Sequence, residues 1–146
     1  MNILVIHGPN LNLLGKREPE IYGRLTLAEI NSLIKNFASS KNARTRIFQS
    51  NCEGKLIDLI QKNSGWADWL VINPAAYTHY SYAIADAISA AGLAAVEVHL
   101  TDIKKREAFR RKSVIAPVCR KQICGLGVQS YLKAVDFCCS SKKPRA

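Results

Sequence analysis

Apolar runs of strand length alternate with segments of helical period along nearly the whole chain, and no other feature restricts its fold as much. NILVI (2–6), RTRIFQ (44–49), WLVIN (69–73) and AAVEVHL (94–100) read as strands, with SVIAPV (113–118) expected as a fifth. Between them, Leu27, Ile30, Leu33, Ile34 and Phe37 recur at helical spacing over 26–38, and Thr26 with Glu29 is spaced as a capping box. Ser50 and Asn51 are set to cap a second helix whose stripe is Leu56, Ile57 and Ile60. A third helix is expected from about His79 to Ala91, stopped by Gly92, and a last one over GVQSYLKAVDFCC (127–139).

Strands alternating with helices imply a parallel sheet covered on both faces. The expected fold is a doubly wound, flavodoxin-like sheet of five strands in the order 2-1-3-4-5, with helices on both faces. At 146 residues, with no internal repeat or linker, the chain reads as a single domain over 1–146, its last residues (141–146) a basic tail expected to fray. Such folds hold their ligand outside the carboxyl ends of the strands, where the strand order reverses.

That rule selects residues. His7, Gly8, Asn10 and Asn12 follow the first strand, Asn73 and PAAYTHYS the third, and Glu97 and His99 share one face at the end of the fourth. The segment GPNLNLLGKREPEIYG (8–23) has three glycines, two prolines and no period. Gly8 to Asn12 are expected to form a fixed floor, and Gly15 and Gly23 to bracket a lid carrying Arg17 and Tyr22. Each residue taken alone has a plainer use: a core histidine, a ring packed in a loop, a solvated arginine, asparagines that stabilise turns. His79 and Asp86, seven apart, are expected on one helix face.

Composition narrows the classes. A formal charge of +10 suits nucleic acid in principle, but no reading motif or interleaved aromatics accompany KKREAFRRK (104–112), so no nucleic-acid partner is expected. The charge fits an anionic small molecule. Five cysteines without a C-x-x-C pair argue for reduced thiols and no metal site. MNILVIHGPN lacks a signal peptide's basic start, and no run is long and apolar enough for a membrane span, so a cytoplasmic protein is expected. No G-x-G-x-x-G or P-loop spacing follows any strand.

Four blocks carry a resemblance: GPNLNLLGKREPEIYG, QSNCEGKLID, INPAAYTHYSYAIADAI and VEVHLTDIKKREAFRRKS. In this order they resemble the type II 3-dehydroquinate dehydratases, hydro-lyases of the shikimate and quinate routes. The resemblance implies anti elimination of water from 3-dehydroquinate through an enolate, giving 3-dehydroshikimate without cofactor or metal. It implies Tyr22 as the base, Arg17 as the lid arginine favouring its phenolate and His99 as the general acid, oriented by Glu97. Asn10 would place the water at the enolate oxygen. Asn73, His79, Arg110 and the backbone at Leu100 and Thr101 would hold substrate. Asp86 would serve a neighbouring subunit's site, in trimers assembled into a dodecamer.

Physical chemistry agrees with these roles. A free tyrosine ionises near pH 10, so a phenolate at neutral pH takes about 4 kcal/mol of preferential stabilisation, which an always-charged arginine in a closed site can largely supply. Hydroxide leaves poorly without an acid. The sequence departs from the family pattern at Cys52, where histidine is usual, and at Ala75, where glycine usually follows Asn-Pro. Thr101-Asp102 stands in place of Ser-Asn. Activity is expected to survive these changes, with Cys52 bearing on assembly. The rival reading is a non-catalytic flavodoxin-like module for a phosphate ligand such as FMN.

Overall fold

The structure, a computed structural model, describes residues 1–142. β1 (Asn2–His7) runs through a 3-10 turn at Leu11–Leu13 and a single helical turn, α1 (Pro19–Tyr22), into α2 (Leu27–Ser40). There follow β2 (Arg44–Gln49), α3 (Glu53–Asn63), β3 (Trp69–Asn73), α4 (Tyr82–Ala90), β4 (Ala94–His99), β5 (Lys121–Cys124) and α5 (Gln129–Ser140). All five strands are parallel, in the order β2-β1-β3-β4-β5. This is the doubly wound sheet that the alternation implies.

Period-2 alternation sends successive residues to opposite layers. Ile3, Val5, Val71, Val96 and Val98 pack under α2 and α5, while Leu4, Ile6, Leu70, Ile72 and Ala95 pack under α3 and α4. β3 and β4 are buried along their whole length, and the edge strand β2 is half exposed. The capping box forms as spaced: Thr26 Oγ1 accepts from the Glu29 N–H at 3.2 Å, and Glu29 returns a carboxylate to the Thr26 N–H at 2.7 Å. Ile30, Ile34 and Ala38 carry the buried stripe of α2, whereas Leu33 stays 40% exposed.

Three expectations are corrected. The fifth strand is not 113–118 but Lys121–Cys124, paired with β4 from Val96↔Lys121 to His99↔Cys124. Pro117 sits in a 3-10 turn (Ala116–Val118), and Ser113 Oγ takes the N–H groups of Ile115 and Ala116 that a strand would have offered to its neighbour. The helix expected from His79 begins only at Tyr82, capped by Ser81, after a separate 3-10 turn at Ala75–His79, so His79 and Asp86 do not share a helix. Cys52, not Ser50 or Asn51, stands at the N-cap of α3, and Ser50 Oγ accepts from the Cys52 N–H instead. The tail expected to fray lies, from residue 143 on, outside the described residues.

β1 ends in His7, which is fully buried. Its Nε2 donates to Asn31 Oδ1 at 2.8 Å, so Nδ1 accepts from the Tyr131 hydroxyl at 2.7 Å. Burial holds the imidazole down to about 4 from an ordinary 6.5, against the opposing pull of Asn31. The folded state thus resists protonation that the unfolded chain accepts. Its contribution, about 3 kcal/mol at 1.36 kcal/mol per pKa unit, is complete above pH 6.5 and lost as pH falls from 6.5 toward 4. Urea midpoints should fall across that window, and a His7→Gln variant should lose this part of the slope; equal slopes in both proteins would refute it.

Candidate active site

Gly8 is where β1 and β3 come together. Its N–H donates to the Asn73 carbonyl at 2.8 Å, and a Cβ there would lie 2.6 Å from the Pro74 carbonyl oxygen. No side chain fits there, so the chain passes tightly over the end of β3 at the start of the loop. Asn10 follows in the left-handed region (φ 66°), its N–H held by Asn51 Oδ1 at 3.0 Å. Gly15 (φ 85°) and Gly23 (φ 86°) turn the chain at the two ends of the segment that carries Arg17 and Tyr22.

These loops border a cleft of about 310 Å³ at the carboxyl edge of the sheet, a size suited to a small molecule. From the first loop come Asn10, Arg17 and Tyr22; from the loop after β3, Asn73 and His79. His99, Leu100, Thr101 and Arg110 arrive from β4 and the segment beyond it. Of the residues expected at the site, only two do not line it. Glu97 lies behind His99, and Asp86 is exposed on α4, away from this chain's own cleft.

Two polar constellations stand out. His99 Nε2 donates to Glu97 Oε1 at 2.7 Å, which leaves Nδ1 for the cleft. Burial opposes the charge on Glu97, but the hydrogen bond and charge of His99, with the hydroxyls of Thr78 and Ser113, hold its carboxyl below the usual range. Elsewhere in the lining, the Tyr22 hydroxyl accepts from Arg106 Nη2 at 3.3 Å, and the Arg106 guanidinium lies 5.7 Å from the ring centroid. Arg106 also donates to Thr101 Oγ1 at 2.5 Å. Arg17 lines the cleft while paired with Glu18 at 3.4 Å.

Sequence reasoning missed Arg106. It sits inside the basic run 104–112, where charge without period singles out no member; its place just past the carboxyl end of β4 was the available signal. Three arginines and two histidines therefore face a cleft to which no carboxylate contributes a lining side chain. That is a site for an anion. The arrangement puts a phenol beside a guanidinium and an imidazole backed by a carboxylate into the lining of one cleft, groups of the kind that exchange protons with a bound molecule. His79 Nδ1 donates to the Lys112 carbonyl at 2.8 Å, turning Nε2 free, and Asn73 Oδ1 accepts from the Ala75 N–H at 3.1 Å.

All five cysteines are free thiols. Burial pushes Cys119 up to about 12 and Cys124 to about 11, so neither supplies a thiolate nucleophile at neutral pH. Among the described residues no group of three or more His, Cys, Asp or Glu side chains could hold a metal ion, and no helix is long and apolar enough to cross a membrane.

The family model described as dehydroquinase class II matches residues 1–139. The chain belongs to the class II dehydroquinase family. Its sequence is 58% identical over 132 residues to a 3-dehydroquinate dehydratase of Geotalea daltonii, covering 90% of this chain and 92% of that protein. Its fold is similar to the type II dehydroquinase of Butyrivibrio crossotus, with a TM-score of 0.94 at 46% identity over 96% of this chain and 98% of that one. The type II dehydroquinase of Propionibacterium acnes is similar at a TM-score of 0.92 and 34% identity, over 96% and 97% of the two chains. The family match does not favour the FMN-module reading.

Ala75 stands where the resemblance implies glycine. It lines the cleft with φ at 50°, a left-handed backbone that costs an ordinary residue roughly 1–2 kcal/mol. Glycine there would remove that strain but add roughly 0.4–1 kcal/mol of unfolded-state freedom. Ala75→Gly is expected to stabilise the fold by about 0.5–1 kcal/mol, read as a higher urea midpoint at unchanged m-value. A lower midpoint would mean that the methyl group contributes packing that outweighs the strain.

Proposed function

We propose that the chain is a 3-dehydroquinate dehydratase, acting as a single catalytic domain over 1–146. The observation that carries this reading is the pair sharing one cleft at the sheet edge: Tyr22 held by Arg106, and His99 backed by Glu97, with Arg17 on the same lining, in a chain of the class II dehydroquinase family. The substrate is a β-hydroxy ketone bearing a carboxylate. As a phenolate, Tyr22 takes the proton from the carbon beside the ketone, and the C–H electron pair becomes that of an enolate. Arg106 and Arg17 stabilise the phenolate, since a guanidinium at short range in a narrow cleft favours the anionic form.

The enolate then collapses to the conjugated enone as the C–O bond breaks, and His99, protonated on Nδ1 as well as on the Nε2 that Glu97 holds, delivers the Nδ1 proton to the departing oxygen on the opposite face. The proton taken by Tyr22 then returns to His99 through solvent and resets the site. One proton and one hydroxyl leave as water. The step is redox-neutral and is written with no cofactor. Asn10 places the water that meets the enolate oxygen, while Asn73, His79, Arg110 and the Leu100–Thr101 backbone hold the substrate.

The finer assignments follow the family resemblance: location in the cytoplasm, and assembly as trimers forming a dodecamer, in which the exposed Asp86 of one copy completes a neighbour's site. Native mass spectrometry tests the assembly, which requires twelve times the 16.2 kDa chain mass; a monomer would remove the assigned role of Asp86. The activity itself is tested by adding 3-dehydroquinate to the purified protein and following ultraviolet absorbance of the enone. Absorbance should rise without added metal or nucleotide. A flat trace at high enzyme concentration would overturn the reading.

A further inference from the structure

Glu97 is fully buried, and its carboxylate is met by donors from four segments. His99 Nε2 and the Thr78 hydroxyl reach Oε1, the Ser113 hydroxyl lies 2.9 Å from both oxygens, and Gln122 Nε2 donates to Oε2 at 3.0 Å. Ser113 Oγ already accepts from the N–H groups of Ile115 and Ala116, so it has only its proton left to give, to one of the Glu97 oxygens or to Thr78 Oγ1 at 2.8 Å. The Thr78 hydroxyl, finding both lone pairs of Ser113 taken, is committed to Glu97 Oε1. Among the described residues, Gln122 is thus the one donor given to Oε2 alone.

The register explains how it gets there. Glu97 and Gln122 are direct partners across the parallel β4–β5 pair, so their side chains rise side by side on one face of the sheet. With Oε2 pinned by Gln122, the carboxylate cannot roll about its Cγ–Cδ bond, and Oε1 stays aimed at His99 Nε2. The imidazole is then held in one tautomer with Nδ1 toward the cleft. We infer that Gln122 is a positioning residue for His99, acting through Glu97 and touching no substrate. The inference rests on the acid role given to His99 above.

The test is Gln122→Met, which keeps the length of the side chain and removes the amide donor; if it does not fold, Gln122→Ala makes the same test. The chain has three histidines, so ring-nitrogen NMR of protein labelled with [15N]histidine can follow each. The wild-type His99 ring should show the Nε2–H tautomer at mildly alkaline pH. In the variant its signals should move toward tautomer exchange while His7 and His79 hold their positions, and kcat should fall about tenfold with KM within about twofold. Unchanged His99 signals would overturn the inference, whether or not kcat falls. A shifted His99 in a protein that turns over no substrate even as wild type would support the positioning role and sink the hydro-lyase reading.

Discussion

Replacing Tyr22 with phenylalanine is expected to lower kcat by about 10⁴, the upper end of what a positioned general base contributes. The change removes one oxygen. The ring is half-buried against the layer under α2 and α5, and phenylalanine keeps those contacts, so stability should move by no more than about 0.5 kcal/mol. KM should change little, because Arg17, Asn73, His79 and Arg110 still line the cleft. The lost atom is the one Arg106 contacts at 3.3 Å, the point where negative charge must reside before the C–H bond breaks. In deuterated solvent the variant should also fail to exchange the proton beside the ketone. A variant retaining a tenth of wild-type turnover would remove Tyr22 from the role of base.

The strands that carry the site were readable because burial writes itself into sequence. β1, β3 and β4 are central and buried, so NILVI, WLVIN and AAVEVHL are apolar runs, and β2 reads from its β-branched and aromatic residues. β5 is an edge strand of four residues with exposed Lys121 and half-buried Gln122, and its pattern is too short and polar to stand out. Val114 and Ile115 are buried as a strand's would be, but as turn residues against the layer under α3 and α4, and so imitated the strand that lies seven residues further on. Topology gathered most of the candidate site without any side-chain information, since residues at carboxyl ends must meet at one edge. It could not distinguish Arg106 from its charged neighbours, because that depends on where one guanidinium folds back. Nor could it reveal the left-handed backbone of Ala75, since residue identity does not report φ.

His99→Ala divides the reaction where Tyr22→Phe stops it. Without the imidazole the base still meets its proton, because Tyr22 and Arg106 stand on separate segments from β4 and keep their contact. The enolate should form and return, exchanging the proton beside the ketone with deuterated solvent, while hydroxide departs unaided. Elimination is expected to fall by about 10³, within the range for loss of a general acid, and exchange should outpace it. The substitution also takes one donor from Glu97, whose carboxylate keeps its contacts with Thr78, Ser113 and Gln122. Glu97→Gln should therefore resemble a weaker His99→Ala, since an amide can present its N–H to the imidazole and turn it away. If exchange and elimination fell together in His99→Ala, proton removal and hydroxide loss would be one concerted step, and the enolate would have no separate existence in this site.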